Sequence, residues 1–151
     1  MEFSLSEEQS LLQDSVQRYI QNSYSFEDRQ RLIGSEEGFS RENWKNFAEL
    51  GWLALPFPEE IGGFGGTAVE TMILMEEFGK GLVVEPYLAS IILAGSIIEK
   101  IESEVVRSNV LGALMSGEKL AALAFVEPQA RFNLSDVQTS AEERASGFVL
   151  N

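Results

Sequence analysis

The 151-residue sequence contains neither cysteine nor histidine. Without cysteine, disulfides, thiolate nucleophiles and cysteine-based zinc sites are excluded. Without histidine, the chain lacks the commonest metal ligand and the usual general base at neutral pH. We therefore expect no metal site, and any proton transfer would depend on carboxylates, lysines, tyrosines or hydroxyls.

Basic residues are also scarce. The chain has 11 lysines and arginines against 24 aspartates and glutamates, which gives a formal net charge of −13. Contacts to nucleic acid phosphates need clustered lysine and arginine, whereas the basic residues here are scattered. The composition therefore argues against nucleic acid and against an anionic membrane surface as partners.

Long apolar runs are absent as well. The longest, Pro86 to Ile98, contains Ser90, Gly95 and Ser96, and it is shorter than the about 20 residues that span a bilayer. The first residues lack the basic start and apolar run of a signal peptide. We expect a cytoplasmic protein with no membrane insertion.

Capping signals and apolar periodicity predict helices along most of the chain. The predicted helices cover residues 6–24, 26–33, 41–50, 67–78, 86–98 and 104–116. Gly51 is predicted to end one of them in a left-handed conformation, and Gly117 to end another. In the 67–78 helix, Val69, Met72, Ile73 and Glu76 fall on one side. In the 104–116 helix, Val106, Val110, Leu111 and Leu114 are predicted to face inward. The 86–98 helix is apolar on nearly every side, so we expect it to be buried in the bundle.

The pattern changes after Lys119. The segment Leu120–Val126 is predicted to be a buried strand, and Val137–Ala141 and Phe148–Asn151 are strand-like on either side of a polar turn at Glu142–Gly147. The predicted fold is therefore mainly α: a helical domain at 1–118, then the first strands of a β domain at 119–151. Since a strand at Asn151 needs a neighbour for its backbone groups, we expect the β domain to be incomplete and the chain truncated.

Several motifs suggest chemistry but favour simpler interpretations. The glycines at 62–66 lack the spacing of phosphate-binding loops, so a structural turn is expected. The adjacent carboxylates are expected on the solvated surface; they are Glu59-Glu60, Glu76-Glu77 and Glu142-Glu143. The tyrosines at 19, 24 and 87 have apolar neighbours and are expected in or beside the core. The segment Ala124–Pro128 is the strongest candidate, because the end of a buried strand can present its backbone to a flat ligand.

A series of short motifs resembles the acyl-CoA dehydrogenase family along the whole chain. Those similar to its N-terminal helical domain are Glu49–Leu53, Pro58–Gly63 and Met75–Lys80. Those similar to the start of its middle β-barrel-like domain are Ser116–Glu118, Ala121–Pro128 and Phe148–Asn151. The stretches Leu82–Tyr87 and Glu127–Arg131 look most like the small subunit of pimeloyl-CoA dehydrogenase-type enzymes.

The resemblance implies FAD as cofactor and α,β-desaturation of an acyl-CoA thioester. In the family a glutamate removes the α proton while hydride leaves the β carbon for the flavin. That glutamate lies in a C-terminal helical domain, and no residue of 1–151 matches it, so we predict no catalytic residue in this chain. The helical domain is expected to wall the acyl pocket through Tyr87, Leu88 and Ile91.

The resemblance also places cofactor contacts on the segment around Glu127-Pro128. Just before it, the family has an aromatic residue, an apolar residue and a threonine, where this chain has Leu123, Phe125 and Val126. Beyond it, the family's Gly-Ser-Asp aligns with residues 131–133, so Arg131 and Phe132 complete the predicted set. The family's threonine and serine are thus replaced by Val126 and Phe132, unless a shifted alignment uses Ser135-Asp136 instead.

Three interpretations of function remain open. The chain is the N-terminal part of an FAD-dependent acyl-CoA dehydrogenase subunit that acts on an acyl-CoA substrate. Alternatively, because Val126 and Phe132 replace polar flavin contacts, it is a non-catalytic scaffold subunit. A related acyl-CoA oxidase or flavin monooxygenase is the third interpretation. In each case we expect a homo- or hetero-oligomer with acyl-CoA dehydrogenase-like subunits.

Overall fold

Helices form most of the first 115 residues, and a β-hairpin follows near the end. The structure, a computed structural model, describes residues 4–145 and 147–151. Its α-helices are α1 (Glu7–Ser23), α2 (Phe26–Ile33), α3 (Arg41–Glu49), α4 (Ala68–Lys80), α5 (Ser96–Ile98) and α6 (Glu104–Met115). A π-helical segment (Leu88–Gly95) leads directly into α5, and a 3-10 turn (Glu59–Ile61) follows α3. The mainly helical fold is therefore confirmed.

The predicted caps are confirmed. Ser6, Ser40, Thr67 and Ser103 each cap a helix, since each side-chain oxygen accepts a backbone N–H in the first turn. Ser25, which was not predicted as a cap, does the same for α2. Gly51 and Gly117 have φ angles of 79° and 74° at helix ends. This left-handed conformation is strained for residues with a Cβ.

Two capping boxes join α1 to α4 at their N-terminal ends. Gln9 accepts from the backbone of Ser6, and its Nε2 donates to Glu70 at 2.7 Å. Thr67 is the N-cap residue of α4, and its hydroxyl and backbone N–H both donate to the Glu70 carboxylate. These hydrogen bonds, led by that from the Thr67 hydroxyl and followed by that from Gln9, lower the pKa of Glu70 from 4.5 to about 2.

Aromatic side chains form the centre of the core. Phe47 of α3 stacks on Phe78 of α4, with ring centroids 5.1 Å apart. Trp52 lies against both rings at 5.1 and 5.7 Å. Tyr87 meets Phe78 edge to face at 5.3 Å. Such contacts add to the burial of large apolar surfaces, so this cluster holds α3, α4 and the start of the π-helical segment together.

The buried face of α4 differs from the side that carries Val69 and Met72, and the predicted inward face of α6 is partly wrong. In α4, Val69 and Met72 are exposed, and the buried residues are Ile73, Leu74, Glu77 and Phe78. Val106 of α6 is likewise exposed, whereas Leu111 and Leu114 are buried as predicted. Apolar residues lie on several sides of α4, so its sequence does not determine which side is buried. Packing against α1 buries the side that carries Glu77.

Glu77 contradicts the prediction that the paired carboxylates lie on a solvated surface. It is only 2% exposed, and its carboxylate accepts from Gln13 of α1 at 2.9 Å and from Lys80 at 2.8 Å. Burial alone would raise its pKa, but hydrogen bonds led by that from Lys80 lower it instead. The acid is buried because partners on two helices satisfy it.

The prediction that the 86–98 helix is buried throughout is also wrong. Tyr87, Ser90 and Ile91 are buried, whereas Leu88, Leu93 and Ile97 are exposed on the outer side. Its apolar composition gave no indication of which side packs inward. The helix lies at the edge of the described bundle rather than in its centre.

The buried strand predicted at Leu120–Val126 is absent. The segment has no strand partner, and Leu120, Phe125 and Val126 are exposed. Strand pairing occurs later, where β1 (Ala141–Arg144) pairs antiparallel with β2 (Gly147–Leu150). Strand β2 overlaps the predicted 148–151 strand, but β1 occupies part of the predicted turn at 142–147. Ser146 of that turn lies outside the described residues.

The glycine-rich stretch is the structural turn that its spacing predicts. Residues 63 to 66 fold back on the preceding loop through backbone hydrogen bonds from Gly65 to Phe57 and from Gly66 to Leu55, both 2.8 Å. A Cβ on Gly63 would lie 2.1 Å from the Phe57 carbonyl oxygen. Glycine is required here by close backbone approach rather than by a phosphate.

We predict that Gly63→Ala lowers the free energy of unfolding by about 3 kcal/mol, because the added Cβ overlaps backbone that cannot rotate away. Urea denaturation followed by circular dichroism measures the change. The matched control is Gly112→Ala within α6, where a Cβ meets no atom within 4 Å. That control should be stabilised by about 0.5–1 kcal/mol through helix propensity. Equal effects at the two glycines would contradict the close-approach argument.

We also predict that Glu70→Gln alters how stability depends on pH. The folded-state pKa of Glu70 lies near 2, below its ordinary 4.5. Its ionised form therefore stabilises the fold above pH 4.5, and this contribution is lost as the pH falls towards 2. The glutamine side chain can still accept the Thr67 N–H, so the free energy of unfolding should fall by only about 0.5–1 kcal/mol at pH 7. Melting temperatures of the two proteins should converge between pH 4.5 and 2; a constant difference would contradict the role of the charge.

Candidate functional site

A cavity of about 380 Å³ lies between the end of α4, the loop that follows it and the start of the π-helical segment. Its lining residues are Arg29, Met75, Phe78, Gly79, Leu82, Val83, Val84, Glu85, Tyr87 and Leu88. Two of the three residues predicted to wall an acyl pocket, Tyr87 and Leu88, are therefore brought together here. The third, Ile91, lines a separate cavity of about 310 Å³ with Phe57 and Ile92.

Tyr87 forms a rigid part of the cavity wall. The residue is buried, and its hydroxyl donates to the Trp52 carbonyl at 3.2 Å. Burial raises the pKa of the phenol, so Tyr87 stays protonated at neutral pH. Leu88 is half exposed beside it and provides apolar surface at the cavity opening.

Polar groups meet at the Glu85 side of the cavity. The buried Glu85 carboxylate accepts hydrogen bonds from the Tyr24 hydroxyl at 2.5 Å, from Asn43 Nδ2 at 3.1 Å and from the Ser40 backbone at 3.3 Å. The Tyr24 oxygen also accepts from the Val84 N–H at 2.9 Å. Burial, followed by the hydrogen bond to Glu85, raises the pKa of Tyr24. These bonds fix the loop that lines the cavity.

Glu85 is a residue of the cavity that was not predicted from the sequence. It lies inside the Leu82–Tyr87 stretch, which carries part of the family resemblance. A glutamate after three apolar residues and before a proline was a usable signal, because acids in such surroundings are buried only when donors are supplied. Those donors come from Tyr24 and from the first turn of α3, more than 40 residues earlier.

The loop between α4 and Glu85 contains an unusual backbone conformation. Leu82 has a φ of 51°, which is uncommon for a residue with a side chain. Arg29 of α2 donates its Nε–H to the Leu82 carbonyl at 3.0 Å. Helix α2 has no buried residues, so this hydrogen bond is one of the contacts that tie it to the cavity loop.

The residues predicted to contact a cofactor are not gathered into a cavity. Val126 is 63% exposed and Phe132 is 99% exposed. Arg131 is exposed with a φ of 50°, and Leu123 and Phe125 lie on the extended segment before Glu127. The backbone of 122–126 makes no hydrogen bond to the residues that the structure describes. The segment thus presents free backbone donors and acceptors beside exposed apolar side chains.

Two contacts organise the regions on either side of this segment. The Ala121 N–H donates to the buried Ser90 hydroxyl at 2.7 Å, which joins the segment to the π-helical wall. At the other end, Glu127 accepts from the backbone N–H groups of Gln138 and Thr139 at 2.8 and 3.1 Å. These bonds, led by that from Gln138, lower the pKa of Glu127 to about 2. The segment is held at both ends and open between them.

Neither a metal centre nor a membrane span is found in the described part of the chain. No group of three acidic, cysteine or histidine side chains there could hold a metal ion. Within 4–145 and 147–151, no helix combines the length and the apolar character needed to cross a membrane.

Residues 6–118 match the N-terminal domain of acyl-CoA dehydrogenases. The chain belongs to the acyl-CoA dehydrogenase family. The resemblance on which the sequence interpretation relied is therefore confirmed. The chain is 32% identical to the acryloyl-CoA reductase (NADH) of Anaerotignum propionicum over 154 aligned positions, which cover all of this chain and 39% of that protein.

Solved structures with the same fold include members with cofactor and members in complexes. The FAD complex of PigA has a TM-score of 0.82 and 27% identity, over all of this chain and 40% of that one. The ChsE4–ChsE5 complex of Mycobacterium tuberculosis has a TM-score of 0.82 and 23% identity, over 99% of this chain and 40% of that one. The chain thus spans about two fifths of the length of the relatives and solved structures that it matches.

We predict that Tyr24→Phe lowers the free energy of unfolding by about 2 kcal/mol, since it removes a hydrogen bond to a buried carboxylate and leaves the Val84 N–H without its acceptor. Hydrogen exchange at the Val84 amide should accelerate. The control is Tyr87→Phe, which removes a hydrogen bond to a neutral carbonyl and should cost about 1 kcal/mol. Unchanged exchange at Val84 would show that the Tyr24 hydroxyl does not hold the cavity loop.

Proposed function

We propose that this chain provides the N-terminal helical part of an FAD-dependent acyl-CoA dehydrogenase subunit, which desaturates acyl-CoA thioesters. The observation that supports the proposal is an open, mainly apolar cavity inside the domain that matches this family over residues 6–118. A helical domain of 1–118 and the start of a β domain at 119–151 remain the predicted boundaries. The closer likeness to the small subunit of pimeloyl-CoA dehydrogenase-type enzymes also remains a prediction.

The cavity beside the π-helical segment suits an acyl chain. Phe78, Tyr87 and Leu88 supply apolar walls, and each methylene moved from water to such surroundings is worth about 0.8 kcal/mol. The Glu85 network holds the loop at one side, so the walls are fixed before a chain enters. This fixed shape lowers the cost of ordering on binding. Ile91 lines the neighbouring cavity, so its predicted place in the acyl pocket is not part of this proposal.

Flavin would lie against the open segment 122–126. FAD, when bound, would accept a hydride from the substrate β carbon. Phe125 and Val126 offer apolar surface and unpaired backbone groups to a flat ring, with Leu123 beside them. Arg131 could pair with a phosphate, and Phe132 would lie near it. This chain's own contribution is to orient cofactor and acyl chain and to exclude water between them.

A second candidate function is a non-catalytic scaffold subunit. It is favoured by Val126, which provides no hydroxyl near a flavin, and by the full exposure of Phe132. In this version the chain supports a related subunit that keeps a complete site. Both versions predict an assembly with other acyl-CoA dehydrogenase-like chains in the cytoplasm.

The deciding measurement is flavin bound per chain after reconstitution with FAD, together with any protein that copurifies. The leading proposal predicts about one FAD per chain, which an acyl-CoA should bleach under anaerobic conditions. About half that amount beside a longer homologue would favour the scaffold. Val126→Thr restores a hydroxyl and should tighten flavin binding, whereas the matched control Val137→Thr, outside the candidate contacts, should not. A preparation extended past Asn151 to the length of the relatives that still stays colourless would contradict the leading proposal.

A further inference from the structure

A buried hydroxyl holds the start of the segment against which the flavin is proposed to lie. Ser90 is 0% exposed, and its oxygen accepts a hydrogen bond from the Ala121 N–H at 2.7 Å. Beyond this bond, the backbone of 122–126 makes no hydrogen bond to the residues that the structure describes. Ser90 is therefore the last residue of the helical part that fixes the backbone by a hydrogen bond before the open segment.

Apolar packing fixes this part of the chain less firmly. Ala121 packs on the core cluster, whereas its neighbours Leu120 and Ala122 are exposed. A cavity of about 450 Å³ lies between the two parts, with Val84, Pro86 and Ala89 on the helical side and Leu120, Ala121 and Ala122 on the other. Contact between the segment and the helical part is thus centred on Ala121, whose N–H is the group that Ser90 holds.

The acceptor itself belongs to a rigid wall. The Ser90 N–H donates to the Pro86 carbonyl at 2.8 Å, and the next residue, Ile91, is buried. Further along the π-helical segment, Gly95 packs so closely on Phe57 that a Cβ would lie 2.6 Å from its ring. A side chain that is locked by its surroundings can hold a second group in a defined place.

Burial makes the Ser90 bond a stronger constraint than the anchor at the other end of the segment. Water cannot replace either partner at a fully buried hydroxyl, so losing the bond leaves a donor unsatisfied. The bonds from Gln138 and Thr139 to Glu127 are exposed, and water can substitute for them there. The position of the open segment is therefore set mainly from the Ser90 end.

We propose that Ser90 is a positioning residue for the flavin. Through the Ala121 N–H, it sets where the free backbone groups of Phe125 and Val126 lie relative to the cavity of about 380 Å³. Ser90 acts through the backbone rather than by touching the flavin, so it is not a catalytic residue. The inference rests on the proposed function, because it assumes that FAD lies against 122–126.

The test uses the preparation extended past Asn151, reconstituted with FAD together with any protein that copurifies. Ser90→Ala removes the acceptor, and Ala121→Pro removes the donor from the opposite side of the contact. The matched control is Ser96→Ala, which removes an exposed hydroxyl of α5 that donates to the Ile92 carbonyl. Three quantities are measured: FAD affinity by fluorescence titration, visible circular dichroism of the bound flavin, and hydrogen exchange at Ala121 in the flavin-free protein.

Ser90→Ala should weaken FAD binding about tenfold, the effect of one hydrogen bond lost at a buried site. It should also change the visible circular dichroism of the flavin that still binds, and exchange at the Ala121 amide should accelerate about tenfold. Ser96→Ala should match the wild type in all three measurements. If melting shows that Ser90→Ala does not fold, Ala121→Pro is expected to give the same loss of affinity and the same spectral change.

Two results would overturn the proposal for different reasons. If the wild type binds FAD and the variants at Ser90 and Ala121 bind it with unchanged affinity and spectrum, then Ser90 only stabilises the fold, and the proposed function stands. If no protein of the set binds FAD, the proposed function fails at the cofactor, and the role of Ser90 fails with it.

Discussion

The hydrogen-bonded Glu85 carboxylate is the constraint on which the cavity depends. It joins the end of α1 through Tyr24, the start of α3 through Ser40 and Asn43, and the chain just before the π-helical segment. A buried acid is tolerated only when such donors are in place. Because all three elements must meet for the network to form, the loop beside the cavity takes its shape together with the bundle.

Outside the Glu85 network, aromatic packing forms the core, and hydrogen bonds at the helix N-termini align the helices around it. Phe47, Trp52, Phe78 and Tyr87 pack against one another at the centre of the core. Polar side chains set the alignment of helices around it, as Gln9 and Glu70 do for α1 and α4. Tyr87 contributes to both the core and the cavity: its ring packs on Phe78, and the residue also lines the cavity wall.

The proposed site has two halves, the cavity for the acyl chain and the segment 122–126 for the flavin. The described residues form more of the first half than of the second. The cavity proposed for the acyl chain has walls, a fixed loop and a charged group, all within the helical part. The segment 122–126 has free backbone groups and exposed side chains and is anchored to the π-helical wall by the hydrogen bond between Ala121 and Ser90. Both halves are therefore connected by one short contact, through which the position of the cavity wall is linked to that of the segment.

Local signals in the sequence were sufficient for the helix ends, the glycine turn and the family. The capping hydrogen bonds of Ser6, Ser40 and Thr67 span only two or three residues, so they can be predicted from the local sequence. The burial of α6 and of the 86–98 helix was predicted less well, because apolar residues lie on several sides of a helix and only its neighbours determine which side is buried.

Tertiary structure alone decided the site. The sequence predicts a buried strand at Leu120–Val126, but a strand forms only where another strand lies beside it. The sequence also predicts that Glu77 is on the surface, whereas a hydrogen bond from Gln13 of α1 makes its burial possible. Arg29, Glu85 and Tyr87 are far apart in sequence, and no local pattern joins them. They meet at one cavity because the Glu85 network joins Tyr24 and α3 to the chain after α4, and because Arg29 bonds the Leu82 carbonyl of the same loop. The capping residues and the turn glycines required only their own neighbours in the chain.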